Sequence, residues 1–160
     1  MKPILYIMVG IPGSGKTWYA TNKLMRCSHM VYISRDKIRF SMVKDDEPYF
    51  THEKEVYKEY INQIITALND GMDVIADATH ITWASRRKLL NNIDKYYPIK
   101  NLDIVPVIIH CPYKTSFERN NKREGRERVP ESTIEDMYNH QSSPHKDSFK
   151  YLAFIEVNNS

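Results

Sequence analysis

The residues best equipped for chemistry lie near the start of the chain. In "MVGIPGSGKTWYA", Met8 to Ala20, Gly10, Gly13, Gly15, Lys16 and Thr17 match the spacing GxxxxGK[ST], with Pro12 and Ser14 inside it. Glycines let a chain curl until successive N–H groups point inward, and a following helix adds its positive end, so a polyphosphate is ringed by donors. Lys16 would bridge the β- and γ-phosphates, and Thr17 would offer its hydroxyl to Mg²⁺. The expected ligand is ATP or another nucleoside triphosphate, with Mg²⁺. A glycine-rich turn that merely tightened a strand-to-helix joint would leave the Lys-Thr pair unexplained.

A phosphate cradle does not identify the reaction. No guanine-reading N-K-x-D follows, because "TNKLM" and "NNKRE" lack the aspartate. At the end of the second apolar run stands "SRDKIRF", whose Asp36 and Arg39 share a helical face. At the rim that carries the phosphate loop, Asp36 could accept a proton from an attacking hydroxyl. Arg39 could steady that carboxylate or a phosphate of the acceptor. An ordinary capping aspartate with an ion pair at i, i+3 accounts for the same two residues. Asp77 ends the apolar run "DVIAD", where a carboxylate belongs near the magnesium water shell or near Arg39. From Glu118 to Arg128, Arg119, Lys122, Arg123, Arg126 and Arg128 stand among three glutamates with Gly125 as a flexible point. A solvated charged loop accounts for such a run, but its position between the helix after the fourth strand and the next helix points to a basic lid, over about 118–130, that closes on phosphates and excludes water.

The elements that must hold these groups alternate along the chain. "PILYIMV", "HMVYIS", "MDVIADA", "LDIVPVIIH" and "YLAFIEV" read as five strands. Helices are predicted from Lys16 to Arg26, over "RDKIRFSM", from Thr51 to Asp70, over "TWASRRKLLNNIDKYY", from Pro112 to about Asn120, and over "PESTIEDMYNHQ". In the third of these, Val56, Tyr57, Tyr60, Ile61, Ile64, Ile65 and Leu68 recur at steps of three and four. Pro106 argues for an irregularity or an edge in its strand. Such alternation predicts right-handed crossovers and a three-layer α/β fold around a mainly parallel five-stranded sheet.

Composition narrows the class. The 160 residues suit a single domain spanning 1–160, and a hydrophobic fraction of 41% is ordinary for a globular chain. No apolar run is long enough for a bilayer span, and the N-terminal run ends in a glycine turn without a cleavage site, so a cytoplasmic protein is expected. Cys27 and Cys111 form no disulfide framework, and the adjacent His110 and Cys111 would point to opposite faces of a strand, away from a shared metal. A net charge of +3 is too small for a protein that coats a polyanion but permits one that grips its tip.

In order, "GIPGSGKT", "SRDKIR", "DATHITWASRR", "PYKTSFERNNKREGRERVP" and "MY" resemble the kinase domain of phage-type polynucleotide 5'-hydroxyl kinases, from about Ile4 to about Tyr138, without a phosphatase domain. The resemblance implies a P-loop kinase that moves the γ-phosphate of ATP to the 5'-hydroxyl end of DNA or RNA, in the host cytoplasm if phage-encoded. It implies that Asp36 is the general base, Arg39 the acceptor-side arginine, and Lys16 and Thr17 the phosphate and metal contacts. Arg123 matches the lid arginine on the transferred phosphate, Arg119 a second lid position, and Asp77 the aspartate of a "DxT" element. Two departures bear on the acceptor. His80 replaces the usual asparagine and is expected at a helix start or polar rim, and "TWASRR" lacks a proline before its arginines. Arg86 and Arg87 are candidates for contact with nucleic-acid phosphates, or are simply exposed. A small-molecule kinase acting on a nucleoside, sugar or amino-sugar nucleotide would share every phosphate-side residue. A non-catalytic nucleotide-binding module would share the loop alone.

Overall fold

The computed structural model describes residues 1–159, apart from the side chain of Arg126. Strands β1 (Ile4–Val9), β2 (Met30–Ser34), β3 (Asp73–Asp77), β4 (Asp103–His110) and β5 (Ile155–Asn158) form one sheet in the order β2-β3-β1-β4-β5. Every pairing is parallel, so the sheet is wholly rather than mainly so.

Both faces are apolar because both are covered, as parallel sheets require. Leu5, Ile7 and Val9 of β1 pack with Val74, Ala76 and Ile104 against helices α3 (Glu53–Asn69) and α4 (Trp83–Asp94). The alternate residues Met8, Ile75, Val107 and Ile109 face the helix after the phosphate loop through Ala20, Tyr19 and Leu24. That helix is an α turn, α1 (Lys16–Tyr19), continued by a π segment, Ala20–Leu24.

Helix α2 (Arg35–Met42) follows β2 without a gap and is capped by Ser34, whose hydroxyl accepts from the Lys37 N–H at 3.2 Å. Register pairs Ser34 with Asp77, so the start of α2 and the end of β3 meet beside the loop that leaves β1. Helices α5 (Tyr113–Asn121) and α6 (Glu131–His140) lie between β4 and β5.

Two expectations shift. The fifth strand begins at Ile155, not Tyr151. Tyr151 is buried with its hydroxyl on Asp147, so the chain turns there before joining β4. Pro106 pairs with Ile7 inside a continuous β4, but β5 pairs only from Val107 onward, so the flank beside the proline is locally an edge. Among the described residues no helix is long and apolar enough to cross a membrane.

Candidate active site

The phosphate loop depends on two glycines in the left-handed region, Gly13 at φ 81° and Gly15 at φ 95°. A Cβ on Gly13 would lie 2.5 Å from the Ser116 carbonyl oxygen, which is backbone and cannot yield. Gly10 anchors the start of the loop through its N–H to the Thr79 carbonyl at 3.0 Å, and the Ser14 N–H donates to the Ile11 carbonyl at 3.1 Å. From the far edge of the sheet, the Asn159 amide donates to the Ser14 carbonyl at 2.8 Å. Lys16 is buried, yet no carboxylate pairs with it among the described residues. A buried ammonium needs a counter-charge, which an anion seated in this loop would supply.

Lys16 lines two adjoining spaces. One is a cleft of about 220 Å³ bordered by Pro12, Asp36, Arg39 and Asp77. The other, about 170 Å³, lies against Gly13, Gly15, Thr17, Trp18, Arg119 and Arg123. The lysine thus separates a space shared with the carboxylates from one shared with the arginines.

Around Asp36 the side chains form a closed network. Arg39 donates to Glu53 through Nε and Nη2, each at 2.7 Å, and through Nη1 to Asp36 and to the Tyr49 hydroxyl, the latter at 2.9 Å. The Tyr49 hydroxyl in turn donates to Asp36 Oδ1 at 2.9 Å. Both bonds fall on Oδ1, which leaves the lone pairs of Oδ2 unused by these two partners, and Asp36 lines the cleft. Burial, then the neighbouring Asp36 charge, pushes the Tyr49 phenol well above its ordinary range, so it stays a donor. Burial alone would lower the Arg39 pKa, but the Glu53 hydrogen bonds, Tyr49 and Asp36 together raise it. Arg39 is nearly buried and already faces two carboxylates, so it orients Asp36 before it could reach an acceptor.

Asp77 accepts hydrogen bonds from the Thr17 hydroxyl at 2.7 Å and from the Tyr32 hydroxyl, while those of Arg39 go to Glu53, Asp36 and Tyr49. Burial and then Asp77 raise the Tyr32 pKa, so this bond also persists. Asp77 Oδ1 is buried without a protein partner, and the Thr17 hydroxyl, while donating to Asp77 Oδ2, still presents lone pairs. That donor set suits a hydrated Mg²⁺, a hard cation that keeps several of its waters. Among the described residues no cluster of three His, Cys, Asp or Glu forms a resident metal site.

Other expected site residues lie elsewhere. Arg86 is fully buried, clamped by Asp147 at 2.7 and 2.8 Å and donating to the His80 carbonyl at 2.8 Å and the Ser142 carbonyl at 3.0 Å. It is a structural tie with no surface for nucleic acid, whereas its neighbour Arg87 is exposed. His80 is likewise interior. Its Nδ1 donates to the Met8 carbonyl at 2.9 Å and its Nε2 accepts from the Tyr60 hydroxyl at 3.3 Å, so burial holds it neutral with a pKa lowered to about 3. It adopts φ 44°, a left-handed conformation that histidine tolerates better than bulkier residues.

Arg119 reaches the Gly13 carbonyl at 3.3 Å, and the segment after it is pinned at both ends by Asn120, whose amide exchanges hydrogen bonds with the Val129 backbone at 2.7 and 3.0 Å. Arg128 bonds Asn121 at 3.0 Å, while the Arg126 side chain lies outside the described residues.

A family model described as an AAA domain (AAA_33) matches residues 5–144. The chain belongs to this AAA-domain family. Membership, with the geometry above, makes the domain a nucleotide-binding P-loop fold of the kinase-like kind. Curated proteins yield no significant match. Among solved structures, a chain of the Pnkp1/Rnl/Hen1 RNA repair complex is 27% identical with TM-score 0.72, over 87% of this chain and 44% of that one. The domain therefore spans less than half of that chain. A putative kinase from Chloroflexus aurantiacus has TM-score 0.73 at 16% identity, covering 99% of this chain and 86% of that one. A gluconokinase from Sinorhizobium meliloti has TM-score 0.61 at 16% identity, covering 99% and 83%. These last two likenesses concern the fold.

Tyr49, Phe50, Glu53 and Arg35 line the cleft of this AAA domain and escaped the sequence reading. Glu53 lies 14 residues beyond Arg39, at the start of a helix whose apolar stripe spoke only of the core. No local spacing rule links them.

Proposed function

We propose that the chain is an ATP- and Mg²⁺-dependent phosphotransferase of the phage-type polynucleotide kinase kind. It moves a γ-phosphate to a hydroxyl, with the 5'-hydroxyl end of DNA or RNA as acceptor. The observation that carries this reading is that Lys16 and Asp36 border one cleft, so a phosphorus atom and an attacking alcohol can meet between them. The likeness to a chain of an RNA repair complex favours a polynucleotide acceptor.

In this reading the triphosphate lies in the loop with its γ-phosphate at Lys16. The acceptor hydroxyl gives its proton to Asp36 Oδ2 as its oxygen bonds to the γ-phosphorus; the bond to the β-γ bridging oxygen breaks, and ADP leaves with that electron pair. Lys16 neutralises charge that grows on the transferred group, and Arg123, with Arg119, adds to this from the lid. Thr17 and Asp77 would hold Mg²⁺, whose bound form polarises the phosphate oxygens. Catalysis then comes from positioning and charge, with Arg39, Glu53 and Tyr49 fixing the base.

The likeness to a gluconokinase supports a second reading, a small-molecule kinase. Transfer of labelled γ-phosphate to a panel of 5'-hydroxyl oligonucleotides, nucleosides and sugars separates them. Labelled oligonucleotide ends are expected; labelled sugars or nucleosides with unlabelled oligonucleotides would favour the second reading. Nucleotide binding without transfer to any acceptor would indicate a non-catalytic module.

A further inference from the structure

Charged groups make up much of the cleft between Lys16 and Asp36, yet one flank carries a bare aromatic ring. Phe50 lines the cleft and is 45% exposed. Its ring is held in place. Tyr49 meets it edge-on with centroids 4.6 Å apart and an interplanar angle of 81°, and Phe40 supports Tyr49 from 6.0 Å. The Arg39 guanidinium lies 4.5 Å from the Tyr49 ring and 5.6 Å from the Phe50 ring. Tyr49 and Arg39 are also the two groups that fix Asp36 Oδ1. The exposed aromatic face is thereby held in register with the proton acceptor. Val129 and Met137 add apolar surface to the same cleft.

An exposed apolar ring beside a carboxylate costs hydration and gives nothing to phosphate transfer itself. It fits an acceptor that carries a flat, weakly hydrated face a short distance from its hydroxyl. A nucleoside end has that form, with its base one ribose away from the 5'-oxygen. A small open-chain hydroxy acid has no such face. We propose that Phe50 is a stacking platform for the base of the acceptor's terminal nucleotide and so determines specificity for nucleoside-type ends. This inference rests on the polynucleotide reading above and names the residue that recognises the end.

The test uses the full chain, ATP and two oligonucleotides that differ only at the 5' terminus, one with a normal nucleotide and one with an abasic ribose bearing the same 5'-hydroxyl. Loss of one stacked base is expected to lower kcat/KM on the abasic end about ten-fold for the wild type. Phe50→Ala is expected to lose about the same factor on the normal end and nothing further on the abasic end, while Phe50→Trp restores the preference. ATP affinity is expected to be unchanged in both variants. Equal wild-type rates on the two ends overturn the proposal even if Phe50→Ala fails to fold. A Phe50→Ala loss of equal size on both ends does so too, since the ring would then act only through Asp36. Wild-type transfer to sugars with none to either oligonucleotide contradicts the polynucleotide reading itself, a result distinct from the loss of discrimination.

Discussion

At the residue scale, His80 shows how burial changes what a side chain can do. The sequence places it at a helix start or polar rim, but its two ring nitrogens are consumed by Met8 and Tyr60 inside the core. An unfolded histidine gains its proton near pH 6.5, whereas His80 in the fold resists protonation until about pH 3. The unfolded state therefore binds more protons as pH falls below 6.5, and the stability this residue contributes is full above that value and lost on the way down. Between pH 7 and pH 5 the wild type is expected to lose about 2 kcal/mol more than His80→Asn, which accepts the same backbone conformation without titrating. Urea midpoints at the two pH values measure it; identical acid sensitivity would mean His80 is protonated in the folded state.

Arg86 and Arg87 are neighbours in sequence with opposite environments. Removing the buried Arg86 leaves Asp147 charged and unpaired, so Arg86→Ala is expected to cost about 3–5 kcal/mol, while Arg87→Ala stays within about 0.5 kcal/mol. Thermal unfolding of the two variants decides it. Sequence spacing could not tell these arginines apart, because the partner that buries Arg86 stands 61 positions away.

At the element scale, the segment between Asn120 and Val129 is held at its base and carries Arg123 toward the loop. Arg123→Ala is expected to lower kcat on the order of 10³-fold with little change in nucleotide affinity, read by single-turnover kinetics beside a binding titration. A large loss of affinity with kcat preserved would make Arg123 a ground-state contact. The strands and helices themselves were legible, because apolar periodicity is a local signal: α2 coincides with "RDKIRFSM", and the long amphipathic helix differs by two residues at its start and one at its end. The fifth strand begins four residues later than the apolar run suggests, because the Tyr151 side chain turns back to Asp147, four positions before it, and is buried there instead of pairing in the sheet.

At the scale of the whole molecule, the parallel sheet delivers the ends of β1, β2 and β3 to one rim, which is why three short motifs far apart in sequence become one site. The phosphate loop was readable from its spacing alone. The cleft wall of Tyr49, Phe50 and Glu53 was not, since it arises where the segment after α2 folds back over that helix. Topology thus explains both what the motifs revealed and what they omitted.

The central claim is that Lys16 and Asp36 flank a common phosphorus atom. Single-turnover transfer of labelled γ-phosphate to a 5'-hydroxyl oligonucleotide, with ATP binding measured in parallel, tests it through Asp36→Asn. Transfer is expected to fall at least about 100-fold with ATP affinity unchanged. Transfer at the wild-type rate would contradict the account.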